Sequence, residues 1–358
     1  MTVLKTSLIR RIARTGPVTV ADYMTECLLH PEHGYYVTRD PLGRAGDFIT
    51  APEISQMFGE LIGLWLAQVW MDQGAPDRIV LAELGPGRGT LMADVLRATR
   101  GVPGFHAAAD LHLVEASPVL RAAQMRALPD ARPAFHDSIA TLPDAPLFVI
   151  ANEFLDALPI RQFQRGKGDD WHERMIGTDG KALIWGLAPP MTVAALDQRR
   201  DAVREGQLVE TCAPAEAIAG EIGHRIASFG GAALIVDYGD AQSLGDTFQA
   251  LSAHQHVDPL ATPGQADLTA HVAFDPIAQA AQPARASALV PQGVFLERLG
   301  ITARAQALAS KLGGPALETH IAAHRRLTHP DQMGHLFKVL ALTPPGAPLP
   351  PALDPRSE

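Results

Sequence analysis

Between residues 78 and 239, short apolar runs alternate with amphipathic stretches, and this alternation limits the possible folds more than any other feature of the chain. IVLAEL (79–84) precedes the helical pattern of GTLMADVLRATR, and LHLVEA (111–116) precedes SPVLRAAQMRAL. PLFVIANEF (146–154) and ALIVDYG (233–239) are further strand candidates. Apolar strands separated by amphipathic helices predict an α/β, doubly wound parallel sheet covered on both faces. Residues 160–211 break the rhythm. WHERMIGTDGKALIWGL carries two strand-like runs around an Asp-Gly turn, which predicts an inserted antiparallel hairpin.

The flanks read differently. SLIRRIA, ADYMTECLL and ISQMFGELIGLWLAQVWMDQ have helical spacing, so residues 1–77 are expected to form an N-terminal helical cap or lid. HPEHGYYVTRDPLGRAGDF between them reads as irregular. In TAPE, Thr50 is the expected N-cap, Pro52 sits in the first turn and Glu53 completes a capping box. DLTAHVAFDPIAQAA, VFLERL, ARAQALASKL and ETHIAAHRRL are helix candidates, and HLFKVLALT (335–343) a closing strand. His320, His324 and His329 fall on one apparent helix face and read as solvated. The expected domain therefore runs from 78 to 343, and PPGAPLPPALDP predicts a disordered tail over 344–358.

The totals exclude several classes. With 358 residues, 47% hydrophobic and 19% charged, the chain can bury a large soluble core. Thirty Lys and Arg against 39 Asp and Glu leave a net charge of −9, which offers no general attraction for nucleic acid or an anionic membrane. Two distant cysteines, Cys27 and Cys212, make neither a zinc knuckle nor a disulfide framework and suit a reducing cytosol. No apolar stretch has membrane-spanning length. The basic start, MTVLKTSLIRRIARTG, reads as the first helix of a bacterial cytoplasmic protein; a mitochondrial matrix location follows only if it is a targeting segment. The composition suits a monomer or a dimer equally.

ELGPGRGT (83–90) supplies the chemistry. A triphosphate loop needs a Lys-Ser/Thr pair after the last glycine, and none follows Gly89. A nicotinamide fingerprint needs G-x-G-x-x-G, whereas Gly85, Gly87 and Gly89 are spaced G-x-G-x-G. The remaining ligand is S-adenosylmethionine, which has no pyrophosphate but needs close backbone approach at positive φ. Glu83 suits its cationic amino-acid end. Glu115, at the end of the second strand, is placed for the two ribose hydroxyls, and Asp137 for the adenine amino group. A tight turn with ordinary caps would use the same residue types singly; the set in this order favours the cofactor.

GDFITAPEISQMFGE (46–60), ELGPGRGTL, LVEASPVLRAAQ (113–124), ANEFLDALPI (151–160), DYG (237–239), HQHVDPL (254–260), ADLTAH (266–271) and MGHLFKVL (333–340) together resemble the MidA family of class I methyltransferases. The resemblance runs from about residue 15 to 342. It implies a seven-stranded methyltransferase sheet with a helical lid and inserted hairpins, and S-adenosylmethionine as donor. For mitochondrial members it implies symmetric dimethylation of an arginine on a core subunit of respiratory complex I.

Candidate site residues follow from position. Asn152, Glu153 and Asp156 come after the fourth strand candidate, where open α/β sheets bind ligands, and are expected at the acceptor, with Asn152 also reaching the cofactor. Asp237 and Tyr238 end a neighbouring strand on the same rim. Gly46, Asp47, Thr50, Pro52, Glu53 and Gln56 are expected to cover the cofactor, with Thr90 opening the helix after the loop. His254 and His256 stand two apart near Asp258, so chelation is conceivable; without another ligand, His256 is read as a polar wall of the acceptor pocket and no metal is expected. An arginine acceptor would need carboxylates to orient its guanidinium. The competing readings are a small-molecule methyltransferase and an assembly chaperone that binds the cofactor without turnover.

Overall fold

The computed structural model describes residues 2–38 and 49–356. The chain divides into two compact units, each assembled from three separate stretches. One comprises residues 49–155, 216–241 and 274–356, the other residues 2–38, 156–215 and 242–273.

The first unit carries the alternating pattern. Its strands are β1 (Ile79–Leu84), β2 (Ala109–Val114), β3 (Ala134–His136), β4 (Leu147–Asn152), β5 (Gly231–Asp240), β6 (Arg285–Ala286) and β7 (Phe337–Thr343). They run along one sheet in the order β6-β7-β5-β4-β1-β2-β3. β1 pairs in parallel with β2 and β4, β2 with β3, and β4 with β5. β7 is antiparallel to β5 and to β6, and Val290–Pro291 also pairs with it. β1 and β4 are buried along their whole length, as a sheet covered on both faces requires. The strand order reverses at β1 and β4, so the crevice beyond their carboxyl ends is where this topology places a ligand. The helices Gln56–Asp72 and Thr90–Thr99 approach closely on one face: a Cβ on Gly59 would lie 2.5 Å from that of Asp94.

The second unit holds the inserted hairpin. Trp171–Thr178 and Leu183–Leu187 pair antiparallel, and Asp179 closes the turn by accepting from Lys181 N and Ala182 N. Trp171–Thr178 also pairs with Val18–Thr19 and Arg161–Arg165, and the latter with Leu208–Thr211. A smaller sheet joins Gln255–Val257, Gln249–Ser252 and Asp267–Thr269. Leu4, Leu8 and Ile12 of the first helix are buried in this unit's core with Tyr23, Met24, Ile176 and Leu268.

Several expectations are corrected. Residues 49–77 belong to the sheet-bearing unit, not to a separate cap. Thr50 precedes a short helix, Ala51–Ile54, but makes no side-chain cap, and extended Ser55 separates that turn from Gln56–Asp72. The capping box fails because Glu53 accepts from Thr90 Oγ1 at 2.5 Å instead. DLT forms a strand and the helix starts at Phe274; three residues are too short for periodicity to separate the two states. The proline-rich tail is packed: Leu353 is buried, Pro351 O accepts from Trp65 Nε1 at 3.0 Å, and Asp354 O accepts from Ala288 N at 2.8 Å. His320 and His324 bond Ala305 O and Thr302 Oγ1 between helices, so they are not simply solvated. No helix among the described residues is long and apolar enough to cross a membrane.

Candidate active site

The glycine loop begins where β1 ends. Gly85 N donates to Val114 O at 3.0 Å, which ties the loop to the end of β2. Gly85, Gly87 and Gly89 have φ of 60°, 53° and 82°, values that L side chains rarely adopt. Gly85 also has no room, because a Cβ there would lie 2.7 Å from Phe154 Cδ2. Gly85→Ala is therefore expected to cost about 1–3 kcal/mol of stability and most of the cofactor affinity, read by thermal melting and by titration with S-adenosylhomocysteine. Wild-type affinity in that variant would show that the turn tolerates a methyl group.

Two buried acids flank the loop. Glu83 Oε2 has no hydrogen-bond partner among the described residues, and burial, then the neighbouring Glu115, pushes its carboxyl up to about 8. Glu115 follows β2; its Oε1 accepts from Ser117 N at 2.7 Å and its Oε2 from Gln124 Nε2 at 3.2 Å. Burial raises its pKa too, against the opposing pull of those hydrogen bonds and of Arg121. Arg121 donates to Glu115 O and His136 O, joining the ends of β2 and β3, and pairs with Asp137. The Asp137 side chain is 87% exposed, on the outer side of that ion pair.

At the ends of β4 and β5 the chain is held by its own amides. Asn152 is buried; its Nδ2 donates to Glu153 Oε1 at 3.1 Å and its Oδ1 has no partner among the described residues. Glu153 adopts φ +50°, unusual for a residue with a side chain, and donates its N–H to Val236 O. Its Oε1 also accepts from Ala51 N at 2.7 Å. Asp237 is fully buried: Oδ2 accepts from Phe154 N at 3.2 Å and Leu155 N at 2.9 Å, and Oδ1 from Tyr238 N at 2.9 Å. Its carboxylate shapes the loop that presents Glu153.

The Ala51–Ile54 turn, with Pro52 in its first positions, meets this region through Ala51 N and through Glu53, which Thr90 engages. Gln56 instead donates to Glu60, the partner of Arg97 and Arg304. Gly46 and Asp47 lie outside the described residues.

Asp156 and His256 belong to the other unit. Asp156 is buried, and its carbonyl accepts from Ala270 N. Burial lifts the Tyr36 hydroxyl well above its ordinary value, with Asp267, which accepts its hydrogen bond, and Asp156 adding to the effect. His256 is exposed on the strand opposite Leu251. His254 has φ +62° in the preceding turn, so the two histidines share no strand face. Among the described residues, no group of three or more His, Cys, Asp or Glu side chains is arranged to hold a metal ion.

Glu83 Oε2 and Asn152 Oδ1 are buried acceptors without a donor among the described residues. Together with the positive-φ loop, they fit a ligand that brings N–H and O–H donors and a cation. A family described as "Putative S-adenosyl-L-methionine-dependent methyltransferase" matches residues 61–292. The chain belongs to this family. The protein named "Protein arginine methyltransferase NDUFAF7, mitochondrial" from Rattus norvegicus is 40% identical over 94% of this chain and 83% of its own. The Homo sapiens protein of that name is 38% identical over 94% of this chain and 82% of its own. A crystal structure of a "likely methyl transferase from Burkholderia thailandensis bound to S-adenosyl-homocysteine" superposes with a TM-score of 0.82 at 28% identity, covering 98% of this chain and 93% of that one. The chain is an S-adenosylmethionine-dependent methyltransferase on a doubly wound sheet.

Residue-by-residue reading of the chain missed Ala51, Ser117, Arg121 and Phe154, which act through backbone amides, carbonyl clamping or packing. It also missed Gln124. The only available signal was a glutamine one turn after Leu120, on the stripe that the helix buries.

Proposed function

We propose that this methyltransferase modifies arginine side chains of a protein. The observation that carries the reading is the likeness, over 94% of the chain, to proteins named protein arginine methyltransferase. When bound, S-adenosylmethionine supplies a methyl group already activated by its sulfonium. The chain must then align the acceptor and keep water out. Glu83, Asn152 and the glycine loop would hold the amino-acid end, Glu115 the ribose, and Asp137 the adenine. Glu153 would orient the guanidinium, which stays protonated in proteins and is best matched by a carboxylate. Hydrogen bonds from Ala51 N and Asn152 Nδ2 hold that carboxylate in one orientation.

The finer reading is symmetric dimethylation of a complex I core subunit in a reducing compartment, which suits Cys27 and Cys212 outside any disulfide among the described residues. Its test incubates the enzyme and methyl-labelled S-adenosylmethionine with complex I from a strain lacking the gene, followed by analysis of the hydrolysed protein. Labelled symmetric dimethylarginine is expected. Glu153→Gln should lower the rate on the order of 10²-fold with S-adenosylhomocysteine affinity intact. Label found only in small molecules would replace this reading with the small-molecule one.

A further inference from the structure

Gln124 sits on the helix Pro118–Ala127, whose two buried side chains are Leu120 and Gln124 itself. A fully buried amide in such a stripe is costly unless it is hydrogen-bonded. Here Nε2 donates to Gly87 O at 2.7 Å and to Glu115 Oε2 at 3.2 Å. Both neighbours are acceptors, so the orientation of the amide is determined: nitrogen faces the loop and the acid, and Oε1 faces away. The helix can come this close because position 89 lacks a side chain. A Cβ on Gly89 would lie 3.3 Å from Gln124 Cα and 3.4 Å from Ala127 Cβ.

One side chain therefore spans two parts of the site that are remote in sequence, the middle of the glycine loop and the acid after β2. Ser117 N holds the other oxygen of Glu115. The carboxylate is gripped at both ends before a ligand arrives, which is the arrangement that preorganises an acceptor pair.

We infer that Gln124 is a positioning residue for the cofactor, and that by bracing Glu115 against the Gly87 carbonyl it sets the enzyme's discrimination for an intact ribose. The inference rests on the reading of Glu115 as the ribose ligand. If it holds, Gln124 contributes to affinity without touching the transferred methyl group, and its loss raises the KM for S-adenosylmethionine more than it lowers kcat.

The test is calorimetric titration of the full-length protein with S-adenosylhomocysteine and with its 2′-deoxyribose analogue. Gln124→Met, which keeps length and apolar packing, is expected to weaken S-adenosylhomocysteine binding roughly 10- to 100-fold, as losing a hydrogen bond to a charged group does. It should also shrink the preference for the ribose over the deoxyribose ligand toward that of Glu115→Ala. Leu120→Ala on the same stripe should lower the melting temperature while leaving that preference as in wild type. Gln124→Glu, nearly isosteric, supplies a second readout if the methionine variant folds poorly. Its affinity relative to wild type should be lowest at pH 8 and recover toward pH 5.5, where a protonated carboxyl can again donate. Full ribose preference in Gln124→Met, or a Gln124→Glu to wild-type ratio that does not change with pH, would reduce Gln124 to a packing residue. Unchanged affinity and preference in Glu115→Ala would instead remove the ribose reading, and this inference with it.

Discussion

At pH 6.5, binding of S-adenosylhomocysteine is expected to expel close to one proton per chain, and affinity is expected to climb with pH until about 8. The cause is Glu83. With no ligand cation beside it, its carboxyl titrates at about 8, because burial disfavours the charge and Glu115 repels it. A ligand ammonium favours the ionised form, so the bound pKa falls and the proton leaves. Between the bound value and about 8, affinity should rise by up to about tenfold per pH unit, and above 8 it should be flat. Titrations in buffers of different ionisation enthalpy count the proton directly. Glu83→Gln should abolish both the release and the slope. A wild-type affinity that does not change between pH 6 and 8 would sink the idea.

The same group makes a separate forecast for the unliganded protein. The folded pKa is raised above the ordinary 4.5, so its contribution is present below 4.5 and is lost as pH rises toward about 8. The gap sets an upper limit of about 5 kcal/mol. Saturating S-adenosylhomocysteine should flatten this dependence, because the ligand cation stabilises the charge that the protein alone cannot.

Asp237→Ala should be among the most destabilising single changes in the sheet-bearing unit. It leaves the amides of Phe154, Leu155 and Tyr238 without their acceptor in a fully buried position. Orphaned buried donors cost about 1–3 kcal/mol each, so a total near 4 kcal/mol and a fall in melting temperature of roughly 10 °C are expected. Asp237→Asn should fall between. Its carbonyl oxygen can serve Phe154 and Leu155, but its NH2 would face Tyr238 N–H. An alanine variant that melts within about two degrees of wild type, on the order of the shift from a neutral surface change, would mean that the loop after β4 does not need this carboxylate.

How legible such a site is depends on the kind of residue. The strand IVLAEL and the positive-φ glycines could be read because local sequence dictates both. The position of Glu115 just past a strand could be read because it closes the apolar run LHLV. The capping box in TAPE satisfied every local rule and still failed, since Thr90, distant in sequence, competes for Glu53. Gln124 was hard to recognise, because a helical glutamine usually faces water and its spacing from Leu120 was the one sign of burial. The tail misled for the opposite reason. Proline-rich composition predicts disorder, but Leu353 and the backbone around Asp354 find partners on the far side of the chain's own sequence.

The interleaving of the two units has a consequence for how the protein is made. The hydroxyl of Tyr23 is satisfied by Pro259 O, and Lys5 Nζ by Leu260 O and Ala261 O. At a synthesis rate of about 5–20 residues per second, the first helices would wait on the order of 10–50 s for those partners to emerge. During that interval the apolar faces of Leu4, Leu8, Ile12 and Met24 lack part of their core. The nascent N-terminus is therefore a natural client for a ribosome-associated holdase, and truncating the chain before residue 250 should leave it sticky and insoluble.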